Sequence, residues 1–574
     1  MNPFQHLAAP IAAAYPGLEP DDIGFGPPPN LELGDVAVHL FQAAKKLRTA
    51  PAKLAAALAG ADLGPRVIEA QAAGPYLNLR VDRAAFAREI VDAILASGPC
   101  FGASGLGAGK RALIEHTSIN PNASPHIGRA RNAMIGDSLA RLFRFEGFDL
   151  EVHYYVNDIG KQIGLLVLAA ADREDLAFDQ ILRLYVEANA RAEADPEFAA
   201  QGFDLLAKME EGDPDTRARF RKVVDLCLRG QLGVLGRLGV AYDCFDYESA
   251  YLKDPRLDPV FEALRAKDAL FVDDEQRLVV DLVKIGYPQQ KRDAGRFFVL
   301  MRANGSSMYG YRDLAYNIDK EGRGADLNLV ILGEDHKTYQ RQIAQILDNA
   351  GHRAPEAVYY AYILLKESRD SSDSTKMSTR QGNVVLLSDF LDQATALAAA
   401  RVAEQCHDLS PEDQRTIAAQ VAVGAVRFSV LRVSPNKNVM FDMEANLSFT
   451  GDTGPYIQYS CARIQSILRK YGKELPQIPA EEFPLTTDAE WALLLKLADL
   501  PNVVAGCLNQ RTTSPVAQYA LETARLFTTF YHECPVLTAE TPALVQARAQ
   551  LCAATRQTIA NALYLLGIEV PERM

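Results

Sequence analysis

The chain has 574 residues, of which 48% are hydrophobic and 23% are charged, and its formal charge is −13 at pH 7. This length predicts about three or four domains, and the composition is that of a folded globular protein rather than a disordered chain. No window reaches the roughly 18 consecutive apolar residues that a membrane span needs, and the opening MNPFQHLAAPIAAAYPGLEP lacks the order of a signal peptide. We therefore expect a cytoplasmic protein without a membrane partner.

Cysteine spacing and net charge exclude further classes of protein. The eight cysteines are scattered without a CxxC pair, which argues against a disulfide framework and against a thiolate zinc site, so no protein-bound metal is expected. The negative charge argues against general nucleic-acid-binding surfaces, because phosphate contacts need Lys and Arg. Basic clusters at residues 43–48 and 462–473 are compatible with a polyanionic partner and equally with solvated helix faces.

Residues 1–105 show short helical and strand patterns that predict a small α+β domain. It ends in AAGPYLNLRVDRAAFAREIVDAIL, a turn, an alternating strand and a helix. The Gly-rich stretch GPCFGASGLGAGKR that follows is not a phosphate-binding P-loop. Ser104 stands where the first Gly is needed, and Arg111 replaces the required Ser or Thr.

Residues 106–396 show the alternation of a parallel nucleotide-binding sheet. The strand RALIEHTSI, the helix GRARNAMIGDSLARLFRFEG and the strand LEVHYYVND form a βαβ unit, and DLNLVILGEDH and AVYYAYILL read as buried parallel strands. Residues near 170–250 are charged and mostly helical, which predicts an insertion without sheet strands. From 397 to 574 helical periodicity predominates, so we expect a C-terminal all-α bundle.

Two segments of the central domain have the residues of a phosphate-binding site. His126 and Gly128 stand where the helix after the first strand begins, and a helix N-terminus with a nearby Gly accommodates an anion. The Ser-rich loop DSSDSTKMSTRQGNVVLLSDFL has Lys376 and Arg380, which suit a clamp on a triphosphate. Taken singly, each pattern is also typical of a helix cap or a solvated loop.

In this order, PHIGR and KMSTR resemble the two signatures of class I aminoacyl-tRNA synthetases. The surrounding residues are similar to those of arginyl-tRNA synthetases, and the resemblance covers essentially the whole chain. The segments with this resemblance are IEHTSINPNASPHIGRARNAMIGD, YYVNDIGKQIG, YGYRDLAY, KMSTRQGNVV, FTGDTGPYIQYSCARI and LGIEVPERM.

The resemblance implies a multidomain α/β fold: a Rossmann-type catalytic domain, an N-terminal tRNA-contacting domain and a C-terminal helical anticodon-binding domain. It implies an arginine–tRNA ligase that uses ATP with Mg2+ as MgATP, L-arginine and tRNA(Arg), and a monomer is expected. Arginine would be activated to arginyl-adenylate and then transferred to the 3′ end of the tRNA. Both steps build negative charge on oxygens, so positioned donors rather than free bases should do most of the catalysis.

The resemblance also implies roles for particular residues. His126 and Lys376 are the expected catalytic residues, and the expected ATP contacts are His126, Gly128, Arg129, Lys376, Met377, Ser378 and Arg380. Glu115, Tyr309 and Asp313 match positions that hold the guanidinium, whereas Ser118, Asn120 and Asp335 match the α-amino end. The expected tRNA contacts are Tyr76 and Asn78 in the N-terminal domain and Tyr456, Tyr459 and Arg463 in the helical domain.

The chain departs from the family pattern at a few positions. Arg129 replaces the second histidine of the first signature, Thr379 replaces a lysine of the second, Ser124 stands where some members have a compensating lysine, and Gly310-Tyr311 is unusual. These departures motivate the alternative of a catalytically silent paralogue that binds tRNA or regulates. A synthetase for another amino acid is disfavoured, because cysteine enzymes need zinc-ligand cysteines and a hydrophobic substrate would not call for Glu115 and Asp313.

Overall fold

The structure is a computed structural model. It describes residues 4–26, 28, 30–122, 124–171, 173, 176–288, 295–365, 385–405, 409–475 and 483–574.

The N-terminal part is a four-stranded antiparallel sheet covered by helices, as the α+β prediction required. The sheet has the order β1-β2-β4-β3. Its elements are α1 Ala8–Ala13, β1 Gly24–Gly26, β2 Val36–His39, α2 Phe41–Lys46, α3 Pro51–Ala59, β3 Val67–Ala73, β4 Tyr76–Val81 and α4 Arg83–Ser97. Asp82 caps α4 by accepting a hydrogen bond from the Ala85 N–H.

The central part is built on a five-stranded parallel sheet of order β12-β11-β5-β6-β7. Its strands are β5 Arg111–Glu115, β6 Asp149–Val156, β7 Cys244–Tyr247, β11 Leu327–Gly333 and β12 Glu356–Tyr360. Helix α5 (Ile127–Phe145) crosses from β5 to β6. Strand order reverses between β5 and β11, so the fold is doubly wound and its switch point lies at the carboxyl ends of these two strands.

The predicted insertion is helical, with two additions that sequence patterns did not show. Its helices are α6 Lys161–Ala170, α7 Phe178–Ala194, α8 Pro196–Glu211 and α9 Pro214–Gly236. The prediction of no sheet strand between 170 and 250 was wrong at its end, since β7 forms an edge of the parallel sheet. A separate antiparallel sheet of order β10-β9-β8 follows α10. The remaining elements are α10 Asp258–Ala266, β8 Leu270–Val272, β9 Leu278–Asp281, β10 Phe297–Met301, α11 Tyr309–Gly322, α12 Lys337–Asn349 and β13 Ile363–Leu365.

The C-terminal part is helical apart from one short strand, which pairs with β13. Its elements are α13 Leu387–Gln405, α14 Pro411–Leu431, β14 Val439–Phe441, α15 Met443–Asn446, α16 Gly454–Tyr471, α17 Asp488–Ala498, α18 Leu500–Gln510, α19 Ser514–Glu533 and α20 Pro542–Leu565. The helical run Asp488–Gln510 is long and apolar enough to cross a membrane by length and composition. Half of its apolar window is buried inside the protein, and Trp491 is fully enclosed.

Hydrophobic contacts join these parts into shared cores. Phe4 and Phe86 of the N-terminal part pack in one cluster with Trp491 and Phe527 of the helical part. Arg83 adds a polar link, since it pairs with both Asp35 and Asp488. The boundaries at 105 and 396 stay predictions, because continuous packing crosses between the parts.

Candidate active site

The chain turns sharply where β5 ends, at the switch point of the sheet. After Glu115, Thr117 has a φ of +81° and Ser118 a φ of +46°, a left-handed conformation that costs a non-glycine residue free energy. Asn132 of α5 holds the turn, because its Oδ1 accepts from the Thr117 N–H at 3.0 Å. Tyr242 donates to the Thr117 hydroxyl at 2.7 Å. Strain that is held in place this way is typical of functional sites.

A cavity of about 290 Å3 opens beside this turn, and we call it the switch-point cavity. Side chains at the carboxyl ends of β5, β6 and β11 surround it, and helix α11 covers one side. Its principal lining residues are Glu115, Thr117, Ser118, Asn120, Arg129, Asn132, Tyr155, Asn157, Asp313, Tyr316, Asn317, Lys320, His336, Tyr339, Gln340 and Tyr360. Ligands of doubly wound sheets bind in this crevice.

The two carboxylates of the cavity are each engaged by a neighbouring side chain. Glu115 Oε2 accepts from the buried Lys320 Nζ at 2.5 Å, and Asp313 Oδ2 accepts from the Tyr339 hydroxyl at 2.5 Å. Removal from water raises the pKa of Asp313 to about 7, with the hydrogen bond from Tyr339 opposing and the nearby carboxylate of Glu248 adding to the rise. A cationic ligand would favour the ionised form of Asp313.

Four buried polar atoms of the switch-point cavity have no hydrogen-bond partner among the residues that the structure describes. They are Ser118 Oγ, Tyr155 Oη, Asn317 Oδ1 and Gln340 Nε2. Buried polar atoms are nearly always paired, because an unpaired one costs about 1–3 kcal/mol. This set offers an acceptor, a donor and two hydroxyls, which suits a small ligand that has both donors and acceptors.

The structure brings together four of the six residues predicted to bind the amino acid. Glu115, Ser118, Asn120 and Asp313 line the switch-point cavity. Tyr309 and Asp335 are outside its lining. Tyr309 is 55% exposed, with its ring centroid 5.0 Å from that of Tyr339, and Asp335 follows β11 next to the lining residue His336. Their predicted contacts stay predictions.

His126 is the N-cap residue of α5, as the sequence pattern indicated. Burial, with the positive charge of Arg129, lowers the pKa of His126 to about 4, so the imidazole is neutral near pH 7. Its Nδ1 is buried, and no described residue forms a hydrogen bond with it. A Cβ on Gly128 would lie 3.0 Å from this atom, so glycine there leaves space for the His126 ring. Arg129 lines the switch-point cavity.

The backbone joins this histidine segment to the chain that follows the second predicted signature. His126 forms an antiparallel bridge with Leu386, the Ile127 N–H donates to the Val385 carbonyl at 3.2 Å, and the Leu387 N–H donates to the Pro125 carbonyl at 2.8 Å. The second signature itself lies outside the described residues, so the roles expected of its members stay predictions. These members are Lys376, Met377, Ser378, Thr379 and Arg380.

The residues predicted to contact tRNA differ in their exposure. Tyr76 is 38% exposed and meets Phe41 edge-on, whereas Asn78 is only 3% exposed and its side chain is not on the surface. In the helical part, the Arg463 guanidinium lies 4.9 Å from the Tyr459 ring centroid and 5.4 Å from that of Tyr531.

Tyr456 is half-buried on the same helix α16, and its hydroxyl bonds the Thr528 hydroxyl at 2.9 Å. Tyr531, which sequence reasoning missed, thus extends the aromatic and cationic surface around Tyr459 and Arg463.

One group of possible metal ligands occurs among the described residues, away from the cavity lining. Glu151, His153 and Cys244 have ligand atoms within 4.8 Å of one another at the β6–β7 edge. Arg323 Nη1 lies 3.0 Å from His153 Nδ1, and a cation so close disfavours a metal ion there.

Sequence reasoning also missed cavity residues that helix and strand spacing could have indicated. Asn317 and Lys320 lie one and two turns after Asp313 on α11, so they share its face. Tyr155 lies two residues after His153 on β6, so the two side chains point to the same side of the sheet, the side that α11 covers.

Comparisons with known families cover nearly all of the chain. A family profile described as "tRNA synthetases class I (R), catalytic domain" matches residues 90–443. The "Arginyl tRNA synthetase N terminal domain" matches residues 4–81, and the "DALR anticodon binding domain" matches residues 457–574.

Individual relatives agree with the family profiles. The arginine–tRNA ligase of Methanopyrus kandleri is 36% identical over 98% of this chain and 96% of its own length, and that of Methanococcoides burtonii is 34% identical over 98% and 97%. The arginyl-tRNA synthetase structure of Thermus thermophilus superposes with a TM-score of 0.78 at 28% identity, over 99% of this chain and all of that one. The chain belongs to the arginyl-tRNA synthetase family of class I aminoacyl-tRNA synthetases.

Proposed function

We propose that this protein is an active arginine–tRNA ligase that binds L-arginine in the switch-point cavity. The observation that carries the proposal is the cavity itself: Glu115 and Asp313 meet buried acceptors, which no described residue pairs, at the switch point of a chain in this family. A guanidinium is a planar cation with five N–H donors, so carboxylates and neutral acceptors complement it. A hydrophobic amino acid would leave these groups unpaired.

In the first reaction, a carboxylate oxygen of arginine attacks the α-phosphorus of ATP, and the bond to the bridging oxygen breaks to release pyrophosphate. Neutral His126, next to the N-terminus of α5, would donate an N–H to a phosphate oxygen as charge builds there. Lys376 and Arg380 are proposed to neutralise the phosphates. Mg2+ would enter with ATP as the MgATP substrate.

In the second reaction, a terminal ribose hydroxyl of tRNA(Arg) attacks the activated carbonyl and AMP leaves. We propose that the N-terminal part contacts the body of the tRNA around Tyr76. The helical part would read the anticodon around Tyr456, Tyr459 and Arg463, since ring faces and a guanidinium stack unpaired bases. We further propose a monomer that works in the cytoplasm.

The test is aminoacylation of total tRNA by the purified protein with each proteinogenic amino acid, ATP and Mg2+. Charging with arginine alone is the expected result. An Arg129→His variant is assayed alongside, because Arg129 stands where the family commonly has a second histidine. Charging by the variant but not by the natural protein would identify a silenced paralogue, and charging with another amino acid would refute the proposal.

A further inference from the structure

Tyr155 and Asn317 are two buried polar residues of the switch-point cavity for which neither the sequence motifs nor the family resemblance implies a role. Each is 6% exposed. Tyr155 comes from β6 and Asn317 from α11, so they face the cavity from the sheet and from the helix that covers it. We propose that Tyr155 Oη and Asn317 Oδ1 accept N–H donors of the substrate guanidinium and so determine specificity for arginine. This inference rests on the proposed function.

Tyr155 Oη and Asn317 Oδ1 are both buried, and neither has a hydrogen-bond partner in the described part of the chain. The Asn317 amide orientation follows from its own bonding, because Nδ2 donates to the Asp313 carbonyl at 2.7 Å and only a nitrogen can do so. Oδ1, which only accepts, is therefore the free atom. Buried acceptors are rarely left unpaired unless a ligand or water satisfies them.

The substrate guanidinium has more hydrogen-bond donors than the two carboxylates of the cavity have remaining oxygens. A guanidinium brings five N–H donors. Each carboxylate of the cavity already gives one oxygen to the protein, Glu115 to Lys320 and Asp313 to Tyr339. The positive charge of Lys320 also offsets the negative charge of Glu115. Two further neutral acceptors add partners for these donors without burying more charge.

Both atoms lie at the end of the cavity that is proposed to bind the guanidinium. Asn317 lies one helical turn after Asp313, so the two side chains share a face of α11. The Tyr155 ring stacks on the Tyr316 ring with centroids 4.5 Å apart. The carboxylates that act on its hydroxyl are those of Glu248, Asp313 and Glu115, and the cation Arg312 opposes them. The position is thus beside the two carboxylates expected to bind the cation.

The first variant is Tyr155→Phe, assayed by aminoacylation at saturating ATP and tRNA. Loss of one acceptor for a charged donor should raise the KM for arginine about 10- to 100-fold, with the KM for ATP unchanged. The melting temperature should not fall, because no described residue forms a hydrogen bond with this hydroxyl. The matched control is Tyr519→Phe, whose buried hydroxyl donates to the Leu497 carbonyl at 3.2 Å. It should lower the melting temperature and leave the KM for arginine unchanged.

The second pair is Asn317→Asp and Asn317→Leu. The aspartate keeps an oxygen acceptor and loses the Nδ2 bond to Asp313, whereas leucine loses both. The inference is supported if Asn317→Asp keeps a KM for arginine near that of the natural protein and Asn317→Leu raises this KM. Equal losses in both would assign Asn317 a structural role instead.

Agmatine, which has the guanidinium but no carboxylate, tests which end of the substrate is bound. Agmatine should act as a competitive inhibitor, and its inhibition constant should rise in Tyr155→Phe by the same factor as the KM for arginine. If its inhibition constant is unchanged, the hydroxyl does not serve the guanidinium and the inference is wrong. Failure of the natural protein to charge arginine would instead refute the proposed function, so the two failures are distinguishable.

Discussion

Asp313 is a carboxyl whose ionisation should set the pH dependence of arginine binding. Its pKa is raised to about 7 by removal from water. A raised carboxyl pKa lowers the free energy of unfolding as pH rises from about 4 to 7, and binding of a cation, which favours the ionised form, releases a proton. We therefore expect the KM for arginine to fall about tenfold between pH 6 and pH 8. Steady-state aminoacylation across this range checks it, and Asp313→Asn should remove the dependence.

Lys320 and Glu115 form a buried ion pair, with side-chain exposures of 2% and 11%. Lys320→Met leaves Glu115 as an uncompensated charge, which should cost about 3–5 kcal/mol in the free energy of unfolding. Denaturant titration measures this. The double variant Lys320→Met with Glu115→Gln should recover much of the stability while arginine charging stays impaired. A single variant as stable as the natural protein would show that the pair contributes nothing.

At the scale of elements, α5 packs onto the sheet through Gly136, where a Cβ would lie 2.2 Å from His116 Cγ. His116 is 1% exposed and contacts Thr117 of the strained turn at 2.7 Å. Gly136→Ala should therefore lower the free energy of unfolding by about 1–3 kcal/mol and raise the KM for arginine. The matched control is Gly233→Ala in α9, where a Cβ would meet open space. This substitution should raise the free energy of unfolding by about 0.5–1 kcal/mol, because alanine is the better helix former. Thermal unfolding of both variants tests the prediction. Equal shifts of the two melting temperatures would contradict it.

The elements that sequence patterns predicted are those with strong local periodicity. β5, β6, β11 and β12 are apolar runs of five to eight residues, and α5 has a full amphipathic pattern. The edge strand β7 was missed because it is only four residues long, and β8 and β9 have only three and four residues. Length does not explain why β10 was missed, since its five residues equal the length of β5 and β12. Within the site, helix spacing from Asp313 leads to Asn317, but nothing local indicates that Lys320 pairs with Glu115, 205 residues earlier.

At the scale of the whole molecule, Arg427 of α14 ties three parts of the chain together. It is 0% exposed, pairs with Asp137 of α5 at 2.5 Å, and donates to the carbonyls of Leu238 after α9 and Leu566 after α20. The parts that catalyse and the parts proposed to bind tRNA therefore share one buried cation. Coupling of their stabilities follows, because neither side can move away without leaving polar groups unpaired.

Arg427→Met tests this coupling. Loss of the guanidinium leaves two carbonyls and part of the Asp137 carboxylate unpaired, which should cost about 3–5 kcal/mol. Denaturation is followed by circular dichroism, which reports all helices, and by the fluorescence of Trp491, the single tryptophan, in the core shared by the N-terminal and helical parts. Both transitions should shift together if the parts unfold as one unit. Arg432→Met, one residue beyond α14 and exposed, should change stability by less than about 0.5 kcal/mol. Equal effects of the two variants, or a shift in one signal alone, would show that Arg427 does not link the parts.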